Sequence, residues 1–479
     1  MRLICSLLAV ACVVLGFSAR ANAELKAGAF AQDITPSHLP SPINGNMKGG
    51  TAASVHDPMH ARCMAVANEG SELIFCVVDS CMIPREVCEK AKAIAAEATS
   101  VPAAHILISA THSHSCATMA PVFQSDPDPA YIAELPGLIA RGLIRAHQNL
   151  EPAEIAWSKD SDPDQVFNRR WFLKPDQVVE NPFDSTTDRV LMNPAIQRVS
   201  EPSGPTDPEV CILAARSKAD QRPLGMLANY SLHYVGGLPA ISADYYGVYA
   251  DEIGTRLKTG DARYAGKPAF VAIMSNGTSG NINNINFGGP STIRKKAAGE
   301  QIHTVAASVS DATMRAWDKL AWQDAAPIAT AERDLHLSVR KATPPELERA
   351  HHITDTVAKD KDGQWADRKA IYAREALLLD KYPDQMPCKL QAHRIGGLTI
   401  ASIPCEVFVE IGLDLKKTMP LQEHFTISLA NGYNGYLPTP EHHKLGGYET
   451  WRARSSYLEV DASTKITAAL KEMLAEVVR

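Results

Sequence analysis

The sequence predicts an α/β fold of mixed β-sheets flanked by helices in a layered sandwich. Three observations carry that prediction. Short apolar runs alternate with segments of helical period along the chain. One strand–helix–strand unit is explicit between residues 73 and 109, and such a unit demands a parallel pair with a right-handed crossover. Hydrophobic residues make up 45% of the chain, an ordinary globular share that can supply a large core.

The first 23 residues read as an export signal. Met1 and Arg2 give a positive start, residues 3–17 are apolar, and Ala21-Asn22-Ala23 is a small-x-small cleavage site. The apolar run is short for a bilayer span, which needs about 20 residues. An uncleaved N-terminal anchor is the alternative. No later segment is apolar enough to span a membrane. The mature chain, 24–479, is therefore expected in the periplasm or the extracellular space, without a transmembrane span. Its length suits one large domain, or two that share an interface.

Within it, residues 73–78 are a continuous apolar run, as in a strand buried on both faces. Residues 86–98 place Val87, Ala91, Ile94, Ala95 and Ala98 at helical spacing, and 105–109 form the next strand. Further strands are expected at 210–214, 224–230, 270–274, 398–403 and 426–429. Helices are expected at 249–258, 300–317, 345–356, 367–380 and 462–477. Thr343 ahead of Pro344 and Pro345 marks a helix start. Residues 152–208, rich in Pro, Asp and Asn, read as long loops over a strand or two near the active site. Residues 359–363 read as a solvated turn.

Charge narrows the partners. Without Arg2 and Arg20, 46 basic residues face 54 acidic ones, a net charge of −8. That balance argues against nucleic acid, whose phosphates require a basic footprint. Of ten cysteines, Cys5 and Cys12 fall in the signal. The remaining eight include no CxxC pair, which argues against a thiolate zinc site.

Candidate chemistry collects after apolar strands, where ligands gather in open α/β sheets. Thr111-His112-Ser113-His114-Ser115 follows the 105–109 strand. Two histidines two residues apart can face one way on an extended backbone, and imidazole suits zinc. A pair of surface or hydrogen-bonded histidines is the plain alternative. Asp79 ends the 73–78 strand; it either orients a ligating histidine through the free ring nitrogen or caps a turn. His233 follows the 224–230 strand, and Asp244 precedes a helix, where a capping role is strong. Glu406 follows the 398–403 strand, either as the carboxylate of a His/His/Glu zinc site or as an acid at a helix start. Four strand ends thus offer Asp79, His112 with His114, His233 and Glu406.

At this point the sequence resembles the neutral ceramidase family. The similar segments are Ala110-Thr111-His112-Ser113-His114-Ser115, Asn168-Arg169, the segment ending at His233, Gly280-Asn281-Ile282-Asn283, Pro404-Cys405-Glu406, Asn431-Gly432-Tyr433-Asn434-Gly435-Tyr436 and Tyr448-Glu449. Their order and spacing agree over most of the mature chain. The resemblance implies a ceramidase-like catalytic domain over 24–479. It implies Zn2+ held by His112, His233, Glu406 and Tyr436. His114, Arg169 and Tyr448 would be its catalytic neighbours, and Asn168, Gly277 and Asn281 would lie on the substrate side. Departures accompany it. Gly277 stands where the family carries a serine, Asn281 replaces an aspartate, and Cys116-Ala117 replaces Gly-Pro. The chain leaves little room for the family's C-terminal β-sandwich.

The expected activity is zinc-dependent hydrolysis of an amide bond in a small-molecule or lipid-like N-acyl substrate, with ceramide itself in doubt. Two other readings stay open: a metal-dependent ester or phosphoester hydrolase, and a secreted binding protein with a degenerate site. A disulfide between Cys81 and Cys116, which follow adjacent strands, is a further expectation; two buried free thiols are its alternative.

Overall fold

Eight strands make the larger sheet, in the order Val271–Asn276, Pro223–Tyr230, Glu209–Ser217, Glu151–Ser161, Lys26–Asp33, His60–Asn68, Ser71–Val78 and Ile106–Ala110. The structure is a computed structural model that describes residues 24–68, 70–289, 296–419 and 423–479. The export signal expected over 1–23 lies outside them. Internal neighbours in the sheet run antiparallel, but the pair at each edge is parallel. The sheet curls until its edges meet. Asn276 Nδ2, ending one edge strand, donates to Thr111 O, just past the other, at 3.0 Å.

A second sheet has the order Ile328–Ser338, Gln385–Ile395, Leu398–Ser402 and Glu423–Ile427, the last two parallel. The chain leaving it is stitched across both edges of the first: Ser428 N donates to Asn276 O (2.9 Å) and Asn431 N to Ile108 O (2.7 Å).

Side-chain alternation sorts the layers. On Ser71–Val78, Leu73, Phe75 and Val77 face the second sheet, packing with Leu213 and Ile273 of their own sheet and with Ile400 and Phe425 of the second. Ile74, Cys76 and Val78 face the other way, under helices Arg85–Thr99 and Pro129–Gln148. Helices Asp244–Arg256 and Glu300–Trp317 cover the rest of that outer face through Tyr249, Val305 and Val309. Ala462–Val477 covers the second sheet through Ile466, Leu470 and Leu474. The result is helix–sheet–sheet–helix. Each fully buried Leu or Ile contributes about 1.5–3 kcal/mol by leaving water. Among the described residues, no helix is long and apolar enough to cross a membrane.

The expected strand–helix–strand unit is Ser71–Val78, Arg85–Thr99 and Ile106–Ala110, with Ile74 opposite Ile106. Helices Glu300–Trp317 and Ala462–Val477 occupy the expected residues, and Asp360 closes the expected turn by accepting from Asp362 N and Gln364 N. Two expectations need correction. The helix read from 249 begins at Asp244. The segment read as loops from 152 opens with an 11-residue strand, Glu151–Ser161, paired with Glu209–Ser217 along its length. Its polar outer residues and prolines hide a strand that is buried mainly through Ala153, Ile155 and Ala156.

Candidate metal centre

Three strand ends converge where the sheet edges meet. His112 lies beyond Ile106–Ala110, His233 beyond Pro223–Tyr230, and Glu406 beyond Leu398–Ser402. His112 Nε2 is 3.1 Å from His233 Nε2 and 3.1 Å from Glu406 Oε2, and the remaining separation is 4.0 Å. All three residues are buried, at 2%, 2% and 4% exposure.

The other faces of these rings fix their tautomers. His112 Nδ1 lies 2.7 Å from Cys81 O, and His233 Nδ1 lies 3.2 Å from Ser279 O. A carbonyl only accepts, so both Nδ1 atoms carry hydrogens and both Nε2 atoms turn lone pairs to the centre. Tyr433 donates to Glu406 Oε1 at 2.9 Å, while Oε2 lacks a hydrogen-bond partner. Acceptor atoms packed this closely call for a proton or a metal cation between them. Burial opposes charge on His112, but Glu406 and Cys81 outweigh it and raise its pKa well above the ordinary value. Burial likewise pushes the Glu406 carboxyl up, but His112, Arg169 and Tyr436 outweigh it and leave its pKa lowered. The convergence that attracts a proton equally suits a divalent ion. Tetrahedral ligands at about 2.0–2.1 Å from zinc lie roughly 3.3 Å apart, close to two of the three spacings, while the 4.0 Å between His233 and Glu406 is wider.

The backbone at His112 is not extended, contrary to the sequence reading. Its φ is 73°, a left-handed conformation costing about 1–2 kcal/mol for a residue with a Cβ. That kink directs the ring inward. His114 Nε2 then lies 3.3 Å from His112 Nε2. Burial, then His112 and Arg169, hold the His114 pKa well below the ordinary value, so its ring is neutral at pH 7.

Arg169 spans the far side. Its Nη2 donates to Gly280 O (2.7 Å) and Tyr436 Oη (3.1 Å), and its Nη1 lies 3.2 Å from His233 Nε2. Glu449 approaches Arg169 Nε at 3.3 Å and also holds Arg170 Nη1 at 2.6 Å. Tyr436 pairs with Glu406 through parallel backbones, and the Tyr448 ring lies 5.8 Å from the Tyr436 ring. The structure thus brings together His112, His114, His233, Glu406, Tyr436, Arg169 and Tyr448.

Other candidates are engaged elsewhere. Asn168 holds Pro205 O and Arg170 N. Asn281 joins Val409 N to Glu410 Oε2. Asp79 does not orient a ligand: Arg62 on the neighbouring strand takes it at 2.6 Å, and His60 N donates to it at 2.8 Å. Asp244 opens its helix and accepts from Val235 N, Gly236 N and Tyr245 N. The disulfide expected between Cys81 and Cys116 does not form. Cys81 Sγ lies against His112 Nδ1, while Cys116 Sγ turns to Ser242 O.

Gly277 has no room for a side chain. A Cβ there would fall 2.6 Å from Ser231 Oγ and 3.0 Å from Asn229 Oδ1. Gly277→Ser is therefore expected to lose about 1–3 kcal/mol by overpacking and to gain no ceramide hydrolysis. Urea denaturation beside a ceramide assay checks both; an unchanged midpoint with new activity would contradict the expectation.

Sequence reasoning missed Tyr433, Tyr234 and the orienting carbonyls of Cys81 and Ser279. Tyr433 lay inside a quoted motif and Tyr234 beside His233, but only packing assigns them a place.

No protein-family model and no curated protein matches this sequence. Solved structures do match. Neutral ceramidase from Pseudomonas aeruginosa superposes with a TM-score of 0.69 at 16% identity, over 96% of this chain and 75% of that one. The chain has the neutral ceramidase fold. A ceramidase complexed with C2 matches this ceramidase-fold chain with a TM-score of 0.70 at 14% identity, over 95% of this chain and 76% of that one. At such identities the likeness is one of fold, and the site rests on its own geometry.

Proposed function

We propose that this protein is an exported zinc-dependent hydrolase that cleaves an amide bond in a small-molecule or lipid-like N-acyl substrate. The observation that carries this reading is the convergence of His112 Nε2, His233 Nε2 and Glu406 Oε2 as lone-pair donors around one buried point. The ceramidase fold supports it. Residues 24–479 act as one catalytic domain in this reading.

His112, His233 and Glu406 would hold the ion, and the Tyr436 hydroxyl would be the fourth donor. Zinc there supplies Lewis acidity to a carbonyl and acidifies water. The chain does the rest. Neutral His114 accepts a proton at the centre and returns it to the leaving amine. Arg169, fixed on three sides, presents positive charge to the oxyanion that develops on the carbonyl oxygen, a type of contact worth about 3–4 kcal/mol. Tyr448 lines the same side. Cys81 O and Ser279 O keep both ligand rings in the metal-binding tautomer. The replacements Gly277 and Asn281 favour an amide other than ceramide.

Elemental analysis of the purified 24–479 chain tests the reading, joined to hydrolysis of a panel of N-acyl amides. About one zinc per chain and turnover abolished in a His112→Ala/His233→Ala double variant are expected. A double variant as fast as wild type would end the proposal.

A further inference from the structure

The three metal-facing donors are 2–4% exposed, whereas His114 and Tyr234 are half-buried. Tyr433 and Tyr448 are half-buried as well, and a substrate entering on the side of His114 and Tyr234 meets that pair first. There the Tyr234 ring stacks on His114, with centroids 3.6 Å apart and planes 14° apart. The same ring overhangs His233 at 5.4 Å and His112 at 6.5 Å.

Each member of this stack is closely packed on one side. Behind His114 stands Gly45 (φ 108°), where a Cβ would fall 2.2 Å from His114 Nδ1. Beside Tyr234 stands Gly236 (φ 71°), where a Cβ would fall 2.9 Å from the Tyr234 ring. The backbone carrying Tyr234 is pinned by buried Asp244, which accepts from Val235 N at 3.2 Å and Gly236 N at 2.7 Å. Gly45, His114, Tyr234 and Gly236 thus form four close-packed layers. Two glycines permit the stack, and a carboxylate anchors it. Such an arrangement is a fixed wall.

We infer that Tyr234 is a specificity-determining residue that restricts the site to N-acyl compounds with a small acyl group, of the N-acetyl class. The inference rests on the zinc-hydrolase reading. In this reading a methyl group beside the reacting carbonyl lies beneath the ring, whereas a long acyl chain collides with the Tyr234–His114 stack. The phenol acts by its shape, so the hydroxyl is dispensable for this role.

Hydroxamates test it without relying on turnover, because they combine a zinc-chelating head with an acyl group of chosen length. Zinc-loaded wild type, Tyr234→Ala and Tyr234→Phe are titrated calorimetrically with acetohydroxamate and octanohydroxamate. Wild type is expected to bind the octanoyl compound at least about 10-fold more weakly than the acetyl one, on the scale of pocket discrimination between acyl groups. Tyr234→Ala is expected to close that gap to about threefold or less, and Tyr234→Phe to keep it. A wild type that binds both equally, or a gap unchanged in zinc-loaded Tyr234→Ala, would overturn the inference. Wild type that takes up no zinc overturns the hydrolase reading instead, a result visible before any hydroxamate is added.

Discussion

Glu406→Ala is expected to lose its zinc. The carboxylate is the only anionic side chain among the three convergent donors, and Oε2 is held 3.1 Å from His112 Nε2. Without it, two neutral imidazoles and a phenol remain to hold a doubly charged ion in a buried site. Loss of an outer-sphere partner alone weakens metal binding by about 10–100-fold, so loss of a ligand should exceed about 100-fold. The substitution also strands the Tyr433 hydroxyl, which now donates to Oε1 at 2.9 Å. Zinc per chain after dialysis, measured beside the circular dichroism melt, separates metal loss from unfolding. A folded variant that retains one zinc would remove Glu406 from the ligand set.

Glu449→Ala is expected to cause the largest loss of stability. Glu449, Arg169 and Arg170 form a triad whose side chains are 0%, 5% and 0% exposed. Removing the carboxylate leaves two guanidinium groups facing each other out of water, and breaking a buried pair in this way costs about 3–5 kcal/mol. Burial alone weakens the Arg169 cation, but Tyr436, Glu449 and Glu406 more than offset it and raise its pKa. Arg170 also donates to Gly446 O at 2.7 Å, so the disturbance reaches the turn that carries Tyr448. Glu449→Gln keeps an acceptor for Arg170 and is expected to lose less. Denaturation midpoints of the two variants check the order; an Ala variant as stable as wild type would refute it.

These two residues show how differently a sequence exposes its parts. Glu406 was legible because it closes an apolar strand, as do His112 and His233 at theirs. Glu449 entered only as the neighbour of Tyr448 in a matched segment, and its partners lie some 280 positions away in the chain, with |i−j| of 279 to Arg170. Tyr436 likewise became a candidate through resemblance, since a tyrosine after a strand ordinarily packs in a core.

Local pattern was enough to locate the continuous apolar strands, the amphipathic helices and the donors at strand ends, because burial on both faces or at helical period writes itself into consecutive residues. Strands polar on one face, such as Glu151–Ser161 and the antiparallel pair of Ile328–Ser338 with Gln385–Ile395, went unread, since pairing with distant partners stabilises them. Tertiary structure alone decided what the donors do together. The curl of the larger sheet brings His112 and His233, 121 residues apart, to 3.1 Å. The second sheet delivers Glu406 to the same point. Arg62 claims Asp79 across the strand pair, and Gly45, far from both rings in the chain, makes room for the His114–Tyr234 stack. Each of these is a meeting of side chains through space, fixed by backbone curvature and close packing, which residue order does not contain.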